Sequence, residues 1–154
     1  MADFYADSSA LVKRHVHEIG SAWFQALAAS TTGHMIITAN ISIIEFYSAL
    51  NRRVREATLD PADYSRIATD FDALCGAQYT LIELTNPVIG RARQLLEQHP
   101  LRAYDVVQLA SALITNNTLI AAHLPALTFL SADQRLLSAA QAEGLAVDNP
   151  NLHP

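Results

Sequence analysis

Short apolar runs alternate along this chain with longer stretches in which apolar residues recur every three or four positions. The runs Phe4-Tyr5-Ala6, Met35-Ile36-Ile37-Thr38, Tyr79 to Leu84 and Leu127-Thr128-Phe129-Leu130 read as strands, and Gly144 leads into a further one, Leu145-Ala146-Val147. The periodic stretches read as helices: Ser8 to His17, a second across Trp23, Phe24 and Leu27, Asn40 to about Arg55, and Asp60 to about Cys75. Three more follow, from Asn86 to about Gln98, from about Ala103 to Thr115, and from Gln134 to Glu143. Asp60-Pro61 is a strong helix start, with Asp as cap and Pro in the first turn, and Gly76 suits an exit. In the third helix Ile43, Tyr47, Leu50 and Val54 are expected to share the buried face.

Strands separated by helices imply a mostly parallel sheet covered on both faces. The helix pair at roughly 41–75 falls outside strict alternation and reads as an insertion. No repeat, low-complexity tract or long linker interrupts the pattern, so a single domain over 1–154 is expected, with its core at about 4–147.

Hydrophobic residues make up 51% and charged residues 16% of the 154, which excludes a disordered chain. Ten basic against fifteen acidic residues give a formal net charge of −5, so bulk charge does not attract nucleic acid. Any polynucleotide must be drawn by metal ions and local arginines. Cys75 is the sole cysteine, which rules out an intrachain disulfide and suits a reducing cytoplasm. The N-terminus lacks the pattern of a signal peptide, and Asn116, Asn117, His123 and Pro125 break the region from Leu109 to Leu130, so no membrane span is expected.

Four carboxylates, Asp7, Glu45, Asp105 and Asp133, stand at predicted helix starts, and Asp7 and Asp133 closely follow strands. Each has an ordinary structural role open to it. Asp7 and Asp133 suit helix caps, Glu45 suits a capping box with Ser42, and Asp105 complements a helix dipole. Two considerations favour a shared site. Glu45 is flanked by Ile41 and Ala49, where a lone carboxylate is costly. Helices that follow parallel strands also begin at one edge of the sheet, so acids at their starts converge. Converging carboxylates repel one another unless a divalent cation neutralises them, and Mg²⁺ takes oxygen ligands of this kind. Ser9 and Ser131 stand beside the acids as supporting groups or as ordinary hydroxyls. Ser8, Ser9 and Ser131 have no histidine in a triad motif, and the histidines have no zinc spacing.

The residues around these acids resemble the motifs of PIN-domain nucleases. Asp7-Ser8-Ser9-Ala10-Leu11-Val12-Lys13 is similar to the opening motif, and Ser42-Ile43-Ile44-Glu45-Phe46 to the second. The stretch Leu101-Arg102-Ala103-Tyr104-Asp105-Val106-Val107-Gln108-Leu109-Ala110-Ser111-Ala112 resembles the third, and Phe129-Leu130-Ser131-Ala132-Asp133-Gln134-Arg135-Leu136 the fourth. The order holds from residue 4 to about 147. The small single-domain members of that family are mostly VapC-like toxins, and the resemblance implies a Rossmann-like α/β/α sandwich with a central parallel sheet of four or five strands. It implies an endoribonuclease dependent on Mg²⁺ or Mn²⁺, with Asp7, Glu45, Asp105 and Asp133 as the metal-site acids. It further implies a homodimer and a small VapB-like antitoxin that covers or fills the active site. Two other readings stay open: a non-catalytic cation-binding interaction module, and a nuclease of single-stranded or flap DNA.

Among the remaining polar residues, Lys13, Arg14, His15 and His17 read as a basic edge, open either to RNA phosphates or to solvent. Arg102 lies three residues before Asp105, where it can steer substrate. Arg52, Arg53 and Arg55 read as an exposed face or a partner contact, while Trp23, Phe24, Leu27 and Cys75 read as core.

Overall fold

The computed structural model, which describes residues 1–154, builds one sheet from β1 (Asp3–Ala6), β2 (Met35–Ala39), β3 (Tyr79–Ile82), β4 (Thr128–Leu130) and β5 (Ala146–Asp148). The order is β3-β2-β1-β4-β5, and every neighbouring pair is parallel. The chain starts at the centre, steps outward to β2 and β3, and then crosses back to β4 on the other side of β1. The reversal places a crevice at the carboxyl ends of β1 and β4, where open α/β sheets bind ligands.

Seven helices cover the sheet: α1 (Ser8–His15), α2 (Ser21–Leu27), α3 (Ile41–Arg55), α4 (Pro61–Ala77), α5 (Asn86–Gln98), α6 (Ala103–Ala121) and α7 (Gln134–Ala142). Alternation along the strands divides the core into two layers. Tyr5, Ile37 and Phe129 point into a cluster with α5, α6 and α7, and the Tyr5 and Phe129 rings stack at 5.5 Å. Ala6, Ile36 and Leu130 point the opposite way, toward α1 to α4. The α/β/α sandwich is therefore present, and α3 with α4 forms the extra pair between β2 and β3.

Several boundaries differ from the sequence reading, each for a local reason. The sixth helix passes Thr115 and runs to Ala121, because Asn116 is buried and its Oδ1 accepts the Leu127 N–H at 3.0 Å. A residue that interrupts the apolar run is thus a support for the start of β4. Gly76 stays helical, and α4 ends at Ala77. α1 stops at His15, two residues short of His17, because the chain turns extended at Val16. β3 ends at Ile82 and leaves Leu84 exposed, and β5 begins one residue after Leu145. The fully buried face of α3 is Ser42, Phe46 and Leu50, while Ile43, Tyr47 and Val54 are half-buried. Ser42 can sit there because Thr38 and Gln108 satisfy its hydroxyl at 2.6 and 2.7 Å. Cys75 is half-buried rather than core, and burial pushes its thiol up to about 11, which keeps it unreactive.

The C-terminal segment is docked by a glycine. Gly20 has φ +83, and a Cβ there would stand 2.2 Å from the Pro150 carbonyl oxygen. Trp23 stacks on His153 of the same segment, with ring centroids 4.1 Å apart. Gly20→Ala is expected to cost about 2 kcal/mol or more, since it combines left-handed strain with a clash against backbone. Urea unfolding followed by emission of Trp23, the only tryptophan, measures it; an unchanged midpoint contradicts this account of the docking.

Candidate active site

Asp7 leaves the carboxyl end of β1 and caps α1, with its Oδ1 accepting the Ala10 N–H at 3.0 Å. Ser9 donates to the same oxygen at 2.6 Å, and Ser131, just beyond β4, donates to Oδ2 at 2.6 Å. Ser9 Oγ also accepts the Ala132 N–H at 2.9 Å, which ties the start of α1 to the loop after β4. Asp7 is only 4% exposed. Burial pushes its carboxyl up to about 6, against the pull of the hydrogen bonds from Ser131, Ser9 and Ala10.

Glu45 lies in the second turn of α3, half-buried, and is held from two sides. Ser8 donates to its Oε2 at 3.1 Å, and Gln108 Nε2 donates to its Oε1 at 2.7 Å. Burial again raises the carboxyl, Gln108 and Ser8 lower it, and the charge of Asp105 adds to the rise. Gln108 is fixed in turn, because its Oε1 accepts the buried Tyr5 hydroxyl at 2.8 Å. Glu45 makes no capping box with Ser42, whose hydroxyl turns instead to Thr38 and Gln108.

Asp105 stands in the first turn of α6, three residues before Gln108 and so on the same helix face. One of its oxygens faces the Arg102 N–H at 3.4 Å. Burial raises its carboxyl most, the Arg102 N–H opposes, and Asp133 adds a repulsive charge. Asp133 caps α7 through the N–H groups of Arg135 and Leu136, and its own N–H donates to Ser131 Oγ at 3.0 Å. Asp7 feels the charge of Glu45, Glu45 that of Asp105, and Asp105 that of Asp133. The topology has brought residues from four distant parts of the chain to one edge of the sheet.

No basic side chain forms an ion pair with any of the four acids. Nor do any three histidine, cysteine or acidic side chains stand ready as a group around a common metal position. The reason lies in the hydrogen bonds: each carboxylate is turned toward hydroxyl or amide donors of its own. The donor chemistry nevertheless fits a hard divalent cation. All four side chains are oxygen ligands, and the buried charge of Asp7 has no cation beside it. Sharing one ion requires carboxylates to turn from the donors that they now face.

Beside Glu45, Ser8 and Ser9 opens a cleft of about 780 Å³, which Arg52, Arg53, Arg102 and Tyr104 also line. Arg102 is thus at the site, and Arg52 and Arg53 join it, Arg52 from an exposed position. The basic edge of α1 does not form. Lys13 is buried against Glu18 and the Ile19 carbonyl, Arg14 binds Gln78 and covers the Tyr79 ring, and His15 lies between Phe46 and Phe71. Burial depresses His15 to about 4, which leaves it neutral. Trp23 and Leu27 are half-buried rather than core, and only Phe24 of that trio is fully enclosed. Gln108 and Tyr5 were missed as site residues, although the i, i+3 spacing from Asp105 to Gln108 was a usable signal.

Comparison with known proteins adds independent findings. The family model of the PIN domain matches residues 4–141. The chain is 30% identical over 150 residues to Ribonuclease VapC45 of Mycobacterium tuberculosis (strain CDC 1551 / Oshkosh), with 97% of each chain covered. Ribonuclease VapC49 of Mycobacterium tuberculosis (strain ATCC 25618 / H37Rv) matches with the same identity and coverage. Among solved structures, VapBC2 from Rickettsia felis bound to a promoter DNA fragment superposes with a TM-score of 0.64 at 12% identity, over 96% of this chain and 98% of that one. FitAcB from Neisseria gonorrhoeae gives 0.59 at 15% identity, over 96% and 97%. At such identities the structural likeness speaks to the fold.

Proposed function

The chain belongs to the PIN domain family, and from that premise we propose that it is an Mg²⁺- or Mn²⁺-dependent endoribonuclease, the toxin of a toxin–antitoxin pair. One observation carries the reading: a buried, hydroxyl-gripped Asp7 without a cationic partner, coupled through Glu45 to Asp105 and Asp133 at the crevice of a parallel sheet. Two relatives bearing the name ribonuclease match along nearly the whole chain, which supports RNA as the substrate. The VapBC2 and FitAcB neighbours support a small antitoxin as partner. A homodimer and a cytoplasmic setting belong to the same proposal. No helix is long and apolar enough to cross a membrane.

A bound divalent cation would neutralise charge building on the phosphate and acidify the attacking water. Asp7, Glu45, Asp105 and Asp133 are the residues that would hold it, although Asp7 and Asp133 also cap α1 and α7. Ser9 and Ser131 fix the Asp7 carboxylate, and Ser8 with Gln108 fixes Glu45. No covalent nucleophile is needed, so cleavage in line with the 3′ oxygen leaves 5′-phosphate and 3′-hydroxyl ends.

Purified protein incubated with total cellular RNA and Mg²⁺ or Mn²⁺ tests the proposal by mapping the cut ends. Excess EDTA is expected to slow cleavage by ~100-fold or more, the loss of several kcal/mol of transition-state stabilisation. Full activity in EDTA removes the metal from the mechanism. Equal cleavage of DNA and RNA oligonucleotides in the same buffer removes the RNA assignment.

A further inference from the structure

On the reading that the protein cleaves RNA, we propose that Tyr104 is a stacking platform for an unpaired base and that Arg102 and Arg52 hold backbone phosphates of the same strand. The cleft would then select single-stranded RNA. The charge of the chain is unevenly distributed. Acids outnumber bases by fifteen to ten, yet Lys13, Arg52, Arg53 and Arg102, four of the ten basic residues, stand on this one cleft. Glu18 occupies Lys13 and Arg53, each at 3.1 Å. Arg52 and Arg102 are exposed and ion-paired to nothing, so two guanidinium groups remain to meet phosphate oxygens.

The ring itself is free to take a base. Tyr104 is 54% exposed on the cleft wall and belongs to none of the molecule's aromatic pairs. It sits on the first turn of the 19-residue α6, directly before Asp105 and two residues after Arg102, so its backbone is rigid. A rigid exposed ring between a phosphate-binding arginine and a site carboxylate matches the chemistry of a splayed nucleotide. In a duplex the bases already stack on each other and do not present a free face. An acidic protein segment would engage the arginines without needing the ring, and that difference separates the two occupants.

The test is fluorescence anisotropy of a labelled single-stranded RNA oligonucleotide on the Asp7→Asn background, beside a duplex of the same sequence. Tyr104→Ala is expected to weaken single-strand binding by ~10-fold, the effect of losing one stacked base, and Tyr104→Phe to restore it to within about twofold. Arg102→Ala and Arg52→Ala should each lower the slope of log affinity against log salt by roughly 0.7, one phosphate contact. The duplex should bind more weakly and respond little to Tyr104→Ala. Single-strand affinity unchanged in Tyr104→Ala, while the unmutated protein still cleaves RNA, overturns the platform and leaves the ribonuclease reading intact. Absence of both RNA binding and cleavage in the unmutated protein overturns the two together.

Discussion

In Asp7→Asn, RNA cleavage is expected to fall by ~1,000-fold while the metal-free protein becomes more stable, by about 2 kcal/mol at pH 7.5. The two effects share a cause. Asp7 is buried, and its carboxyl has risen from 3.8 to about 6 chiefly because burial penalises the charged form. The folded state therefore holds the proton more tightly than the unfolded chain does. The stability that this group contributes is complete below pH 4 and is lost as the pH climbs through 6. A shift of roughly two units corresponds to about 3 kcal/mol, of which the variant should recover most. Glu45 and Asp105, raised for the same reason, add to the decline in the same direction. Asparagine caps helices well, and its amide can accept from the Ala10 N–H while donating to Ser131. Melts in EDTA at pH 4.5 and 7.5 measure the effect as a difference between the two proteins: His15, held down to about 4 by burial, gains stability over the same window in both, so the variant's advantage of about 2 kcal/mol at pH 7.5 should shrink at pH 4.5. Millimolar Mn²⁺ should restore stability to the unmutated protein alone, since only its folded state gains a ligand. A variant that is less stable at pH 7.5 contradicts the burial argument, and one that cleaves normally contradicts the catalytic one.

How much of this was legible in the sequence depended on whether a residue's role was local. Strands around Tyr5, Ile37 and Phe129 were legible because an apolar run between turn signals has few other uses. The four acids were legible because helix starts that follow parallel strands must share an edge. Roles decided across the fold were not. Asn116 read only as an interruption of an apolar run, because its partner, the Leu127 N–H, lies eleven residues on. Lys13 read as a free cation, yet the turn at Val16 brings Glu18 back onto it. Ser42 is polar but completely enclosed, since Thr38 and Gln108 meet its hydroxyl inside the core. Arg52 and Arg53 stand seven and eight residues after Glu45, two turns along the same face of α3, so the helical period does place them on its cleft, a signal that their reading as an exposed face or a partner contact did not use.

The chain of contacts from Tyr5 through Gln108 to Glu45 yields the second large effect. Gln108→Leu is expected to cost about 2–4 kcal/mol of stability and to slow cleavage by ~10- to 100-fold. The side chain is 1% exposed and almost fully used: its Oε1 accepts from Tyr5, and its Nε2 donates to both Ser42 and Glu45. Leucine leaves the Tyr5 hydroxyl, which is buried completely, without an acceptor, and an orphaned buried donor costs about 1–3 kcal/mol. It also releases Glu45 from a 2.7 Å amide contact, so the carboxylate keeps only Ser8 to orient it. Tyr5→Phe separates the two losses, because it removes the donor itself, leaves Gln108 bonded to Glu45, and should lower stability with little change in rate. A positioning role for Gln108 requires that its variant shift the Mn²⁺ concentration for half-maximal cleavage while Tyr5→Phe does not. If both variants slow cleavage only in proportion to the protein unfolded in urea titrations, Gln108 supports the core and does nothing for Glu45.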